Sequence, residues 1–296
     1  MRQKKYFGSL ITAMVTPFDE NLKVDYNQVA ELAKHLSDTG SDSLVLSGTT
    51  GESPTLSADE KISICRTALE AVQGKVKIIA GTGGNSTRET IKLSKEAEKA
   101  GVDGIMLVVP YYNKPPQEGL YRHFRSVAEA ISLPVMLYNV PGRTAVNLTA
   151  ETTLKLAEIE NIIAIKEASG DLEQITYICA GAPEGFSIYC GDDSLTLPVL
   201  SVGGVGVVSI TSHLVGLEIK QMIESYITGE TEKAAKIHQK LLPLFNGLFV
   251  MANPIPVKAA LNLTGWKVGK PRLPLCPLTE KLTADLKELL RVYNLC

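Results

Sequence analysis

Short apolar runs rich in valine and isoleucine alternate along this chain with longer windows in which apolar residues recur every three or four positions. The runs are continuous, not alternating, which predicts parallel strands buried on both faces. They cover Leu10 to Val15, Ser43 to Leu46, Val76 to Ala80, Gly104 to Val109, Val135 to Tyr138, Ile162 to Ile165, Ser187 to Tyr189 and Gly206 to Ile210. The windows between them predict helices over Tyr26 to Asp38, Ala58 to Val72, Thr87 to Ala100, Gln117 to Ala130, Ala150 to Glu158, Leu172 to Ala180, Ser194 to Ser201 and Val215 to Tyr226. Local punctuation agrees: Ser57 before Ala58-Asp59-Glu60 has the form of a capping box, and Gly40, Gly74 and Gly101 stand where helices should stop. Eight strand–helix units predict a closed (β/α)8 TIM barrel in preference to an open doubly wound sheet.

From about residue 225 the pattern changes to helical windows alone, at Glu230 to Phe249, Pro256 to Leu263 and Thr279 to Tyr293, with a proline-rich connection from Lys270 to Pro277. The expected organisation is a catalytic barrel over residues 1–224 and a C-terminal helical appendage over 225–296. The appendage's apolar residues are expected either to cap the side of the barrel or to form a subunit contact.

A chain of 296 residues with 45% hydrophobic content is large enough for one such barrel. A net charge of -2 gives no electrostatic footprint for nucleic acid or anionic membrane, so small molecules and protein subunits are the expected partners. The basic start Met1-Arg2-Gln3-Lys4-Lys5-Tyr6 is followed by an apolar stretch broken by Thr12, Thr16 and Pro17, so it reads as neither a signal peptide nor a span. Five scattered cysteines without a CxxC pair fit a reduced, cytoplasmic setting. Four histidines, never spaced i, i+4, give no readable zinc site, and no metal is expected.

Unusual polar residues collect in the loops after the strands, which in a barrel share the face that carries the active site. Lys166 closes the run Asn161-Ile162-Ile163-Ala164-Ile165 and should stand at the strand's C-terminal mouth. Desolvation there disfavours the ammonium and leaves a free amine able to attack a carbonyl carbon. An isolated strand-end lysine most often just reaches water, so the company it keeps decides the reading. Ser47-Gly48-Thr49-Thr50-Gly51-Glu52-Ser53 offers hydroxyls and backbone N–H groups suited to a carboxylate, and no Gly-Lys-Ser/Thr follows to make it a phosphate loop. Tyr138 lies at strand height, while Arg143, on a loop stiffened by Pro141, is available as a carboxylate clamp. Paired Tyr111 and Tyr112 suit packing, an interface or a proton relay. Gly81-Thr82-Gly83-Gly84-Asn85 and Gly203-Gly204-Val205-Gly206 read as structural, and Gly191-Asp192-Asp193 as a cap for the next helix. An amine, a phenol, paired hydroxyls and a guanidinium together suit a 2-oxo acid held by its carboxylate while its ketone becomes an imine, with no cofactor required.

Gly48-Thr49-Thr50-Gly51-Glu52, Tyr111-Tyr112-Asn113, Tyr138-Asn139-Val140-Pro141, Ile165-Lys166-Glu167-Ala168, Gly191-Asp192-Asp193 and Asn253-Pro254-Ile255-Pro256-Val257-Lys258 resemble, in order and spacing, the pyruvate-dependent class I aldolases. That superfamily includes the dihydrodipicolinate synthases and N-acetylneuraminate lyases. Thr49-Thr50, where the sialic acid lyases typically carry Ser-Thr, and Arg143 bring the chain nearest the dihydrodipicolinate synthases. The resemblance implies that Lys166 forms an imine with pyruvate, whose enamine attacks L-aspartate 4-semialdehyde, the first committed step towards diaminopimelate and lysine. It implies a proton relay of Tyr138, Thr49 and Tyr112, with Tyr112 supplied by a neighbouring subunit. It has Thr50 holding the pyruvate carboxylate, Arg143 binding the semialdehyde's carboxylate, and Gly191 and Val208 lining the pocket. It further implies a homotetramer built as a dimer of dimers and a possible lysine-binding cleft at Ser53, Asn85, Glu89 and Tyr111. Ala58 and Lys61 stand where lysine-sensitive relatives carry histidines, and a positive Lys61 disfavours a cationic ligand, so weak or absent feedback is expected.

A sister enzyme using the same imine on another aldehyde is the nearest alternative, and Arg143, which suits an acidic aldehyde, argues against it. A ligand-sensing barrel without turnover would have no use for a nucleophile.

Overall fold

The structure is a computed structural model and describes residues 5–296. The basic stretch Met1 to Lys4 lies outside the described residues. In chain order the elements of the barrel are β1 (Leu10–Ala13), α1 (Tyr26–Asp38), β2 (Ser43–Leu46), α2 (Ala58–Val72), β3 (Lys77–Gly81), α3 (Thr87–Ala100), β4 (Gly104–Val108), α4 (Gln117–Ala128), β5 (Val135–Asn139), α5 (Pro141–Thr144), α6 (Ala150–Ala157), β6 (Ile162–Glu167), α7 (Leu172–Gly181), β7 (Ser187–Cys190), α8 (Thr196–Ser201), β8 (Gly206–Ser209) and α9 (Ser212–Ile227). They are followed by α10 (Thr231–Gly247), α11 (Ile255–Leu263) and α12 (Glu280–Val292). The strands pair in parallel and in sequence order, and β8 returns to β1 through Leu10 opposite Val207, so the sheet closes into the expected (β/α)8 TIM barrel.

Helix ends follow local chemistry. Ser57 and Glu60 form a reciprocal capping box at the start of α2, and Asp25 and Ser86 cap α1 and α3 with their side chains. Along α1, Val29, Leu32, Ala33 and Leu36 are buried at helical spacing against the sheet. Val29, Leu32 and Leu36, taken fully out of water, contribute about 1.5–3 kcal/mol each, the main term holding helix to barrel. Two apolar cores result. One fills the space between sheet and helices, and a smaller one, with Ile11, Val45, Ile79, Met106, Tyr138, Ala164, Tyr189 and Val208, fills the barrel.

Several ends differ from the pattern. Arg143 is carried by the one-turn helix α5 and not by an irregular loop, because Pro141 starts a turn closed by Ala145 N–H on the Pro141 carbonyl. β6 continues past Lys166 to Glu167, whose buried carboxylate is satisfied by distant partners. The helix expected from Ser194 begins as a 3₁₀ turn at Asp193–Leu195, and α9 starts at Ser212, with a kink at Val215. α10 packs Ala234, Leu241, Leu244 and Phe245 inward, so the appendage is joined to the barrel through apolar contact.

Phe18, just after β1, packs against the segments that carry and follow α11. Its N–H donates to the Val268 carbonyl, and its ring lies under both the Lys258 ammonium, at 4.2 Å, and the Arg272 guanidinium, at 4.3 Å. Cation–π contacts of this kind contribute about 0.5–2 kcal/mol each, more when dry.

Candidate active site

Strand register sets the centre of the site. Tyr138 on β5 and Lys166 on β6 are direct neighbours, and Lys166 faces Tyr189 of β7 on its other side. Residues two apart share a face, so Lys166 points with Ala164 into the barrel. Its side chain is buried, and its Nζ lies 4.3 Å from the centre of the Tyr138 ring. The backbone continues its ladder above the strands, with Ala168 N–H donating to the Asn139 carbonyl and Gly191 N–H to the Glu167 carbonyl, at 2.9 and 2.7 Å. A Cβ on Gly191 would stand 3.1 Å from Lys166 Cε and 2.5 Å from Ala168 Cβ, so only glycine leaves the lysine its present path.

Behind these strands runs a buried polar network. The Asn139 amide donates to both oxygens of Glu167, at 3.1 and 3.0 Å, and to Asn147 Oδ1, while Gln174 and the Ser169 N–H complete the carboxylate's partners. Burial pushes the Glu167 pKa up against these donors, which pull it down. The network faces the helices, so it fixes the ends of β5 and β6 without entering the barrel. Asp193, expected as a cap, instead accepts from Ile210 N–H, Thr211 N–H and the Thr211 hydroxyl at 3.1, 2.9 and 2.8 Å. It ties the loop after β7 to the end of β8, while Asp192 does the capping, on Ser194. Burial raises the pKa of the neighbouring Cys190 thiol, which disfavours the thiolate.

The loop after β2 folds back on itself. Ser47 and Glu52 have left-handed backbones, with φ of 53° and 57°, and Ser53 N–H closes on the Gly48 carbonyl. Thr16 donates to the Gly51 carbonyl, at 2.7 Å, and a Cβ on Gly51 would lie 2.9 Å from Ser47 N. Glu52 is buried and takes the Lys258 ammonium at 2.9 Å and the Arg272 N–H at 2.8 Å. Lys258, with 1% of its side chain exposed, also donates to the carbonyls of Thr16 and Lys270, both at 3.1 Å. Burial lowers the Lys258 pKa and the Glu52 charge opposes that shift. Such a pair stabilises only because every proton is used, and removing one partner costs about 3–5 kcal/mol. Thr50 is buried too, its hydroxyl 2.9 Å from Asn253 Nδ2.

A cavity of about 230 Å³ opens above the centre, lined by Thr49, Tyr138 and Arg143 and also by Ser53 and Tyr111. Lys166, Thr50, Gly191 and Val208 do not line it directly; Lys166 lies beside Tyr138, Thr50 beneath Thr49, and Val208 in the core of the barrel. Tyr112 is 89% exposed, on a left-handed backbone with φ of 75°, and points away from its own cavity. Asn85 donates to the Tyr111 carbonyl at 3.2 Å, whereas Glu89 sits exposed on the first turn of α3 beside Arg88. The sequence pattern assigns no role to Glu52, Asn253 or Lys258. The available signal is a lysine inside the otherwise apolar window Ile255 to Leu261.

Residues 6–292 match the model of the dihydrodipicolinate synthetase family. The 4-hydroxy-tetrahydrodipicolinate synthase of Thermosynechococcus vestitus is 57% identical over 285 residues, covering 96% of both chains. That of Bacillus subtilis is 57% identical over 288 residues, covering 96% of this chain and 99% of its own. The crystal structure of the Cyanidioschyzon merolae enzyme with lysine bound aligns at a TM-score of 0.98 and 51% identity, over 99% of this chain and 100% of that one.

Proposed function

This chain belongs to the dihydrodipicolinate synthetase family, and from that premise we propose the roles its residues take in the reaction. The chain is a class I aldolase-type lyase. It condenses pyruvate with L-aspartate 4-semialdehyde through a lysine Schiff base, as a 4-hydroxy-tetrahydrodipicolinate synthase of lysine biosynthesis. In the proposed mechanism Lys166 Nζ adds to C2 of pyruvate, and loss of water gives the imine. Loss of a C3 proton turns the imine into an enamine, whose C3 attacks the aldehyde carbon; cyclisation then releases the product and the free lysine. Carrying this reading is the pairing of Lys166 with Tyr138 on neighbouring strands, 4.3 Å from nitrogen to ring centre.

Tyr138 and Thr49 move protons to and from the pyruvate oxygen, with Tyr112 of a neighbouring subunit completing the relay. The exposure of Tyr112 away from its own cavity supports that exchange. A tight dimer follows, and a tetramer of two dimers is the proposed assembly. Thr50 holds the pyruvate carboxylate by its hydroxyl and backbone N–H, Arg143 takes the carboxylate of the semialdehyde, and Gly191 and Val208 shape the space around Lys166. Ser53, Asn85, Glu89 and Tyr111 form the proposed amino-acid cleft. No helix among the described residues is long and apolar enough to cross a membrane, and we assign the enzyme to the cytoplasm.

The test is intact-protein mass spectrometry after borohydride reduction with pyruvate, repeated on Lys166→Ala, then semialdehyde consumption. An adduct that requires Lys166 together with turnover is expected. Adduct without turnover would point to a sister aldolase, and no adduct would refute the mechanism.

A further inference from the structure

Asn253 reaches the site from the appendage, in the segment just ahead of α11, and touches the hydroxyl to which the pyruvate carboxylate is assigned above. We propose that Asn253 is a positioning residue: its amide N–H donates to Thr50 Oγ1, and this turns the Thr50 hydroxyl proton towards the substrate carboxylate. The inference rests on the assignment of Thr50 to that carboxylate.

An amide NH2 group can only donate, so at 2.9 Å from Asn253 Nδ2 the Thr50 oxygen is the acceptor. A hydroxyl that accepts from one side keeps its single proton for another partner, and a carboxylate needs such a donor. The amide is buried, with 6% exposure, and its Oδ1 has no partner among the described residues. Turned over, it would instead bury an NH2 group without an acceptor and take up the Thr50 proton. Asn253 is also firmly placed. Five residues on, Lys258 of α11 is bonded to Glu52 of the same loop and to the Thr16 and Lys270 carbonyls, so the segment is anchored to the loop at two points.

The test reads the pyruvate concentration that half-saturates borohydride-trapped adduct, alongside the KM for the semialdehyde, in Thr50→Val, Asn253→Ala and the double variant. Loss of one directed hydrogen bond predicts that each single variant raises half-saturation by about five- to tenfold and leaves the semialdehyde KM within about twofold. The double variant should match Thr50→Val alone, because Asn253 acts only through that hydroxyl. Effects that multiply in the double variant, or an unchanged half-saturation in Asn253→Ala, would overturn the inference. If Thr50→Val itself has no effect, the carboxylate assignment fails and the inference falls with it. Should Asn253→Ala not fold, the isosteric Asn253→Asp serves: its carboxylate captures the Thr50 proton as well as repelling the substrate. The penalty should therefore be larger with Thr50 than with Val at that position, and equal penalties in both backgrounds would refute the proposal.

Discussion

Replacing Gly191 with alanine adds one methyl group at a crowded point beside Lys166. The backbone there is outside the left-handed region, so alanine meets no conformational penalty and the effect is one of contact alone. The new carbon would lie 2.5 Å from Ala168 Cβ and 3.1 Å from both Lys166 Cε and the Glu167 carbonyl oxygen. Carbon atoms rest at about 3.5–4.0 Å, so the overlap is about 1 Å with Ala168 and roughly half that with the lysine. Gly191 cannot simply retreat, because its N–H is bonded to the Glu167 carbonyl at 2.7 Å. Overpacking of this size costs about 1–3 kcal/mol. Moving Lys166, the proposed nucleophile, by up to about 1 Å should slow adduct formation by about ten- to a hundredfold. The assay is the rate of borohydride-trapped adduct at saturating pyruvate, with a thermal melt alongside. Adding Ala168→Gly removes the worst overlap but not the contact with Lys166 Cε, so the double variant should recover melting temperature and still trap slowly. A Gly191→Ala enzyme that melts early yet traps at the wild-type rate would refute the idea that this glycine sets the path of the lysine.

His213 should make the fold sensitive to acid. Its Nδ1–H donates to the Ile210 carbonyl and its Nε2 accepts from Val15 N–H, and burial lowers its pKa from 6.5 to about 4. Above about pH 6.5 folded and unfolded chains are both neutral there; below it only the unfolded chain takes up the proton, so stability falls with pH towards 4, by about 2 kcal/mol at pH 5. Urea unfolding at pH 7 and pH 5 should show that loss in the native chain and a smaller one in His213→Gln; equal losses would remove His213 from the account. Lysine should inhibit weakly if the resemblance holds at Lys61, half-buried on α2, where it implies a histidine in lysine-sensitive relatives and a lysine disfavours a cationic ligand. A titration of activity that shows strong inhibition below millimolar lysine would contradict this.

Much of the barrel was legible because its signals are local. The box of Ser57 and Glu60 is complete within four residues, and the apolar spacing of α1 is visible in thirteen. What escaped depends on distance. Lys166 reads as the last residue of its strand, because the local sequence does not show that β6 runs on to a buried Glu167 satisfied by Asn139 and Gln174. Asp193 reads as a cap until β8 arrives beside it, and α5 is a single turn, too short to show a period. In the candidate site, Lys166, Tyr138 and the threonines stand out as polar groups at strand ends. Lys258 and Glu52 do not, since 206 residues separate the two halves of one ion pair.

That separation also orders events in time. A ribosome adding about 5–20 residues per second needs on the order of ten to forty seconds between making Glu52 and making Lys258 and Arg272. Until then the glutamate has no cation to join and Phe18 lies uncovered. The hydroxyl loop is therefore fastened late, and a nascent chain lacking its final forty residues would hold all eight strands of the barrel but not the ion pair that ties Glu52 to the appendage.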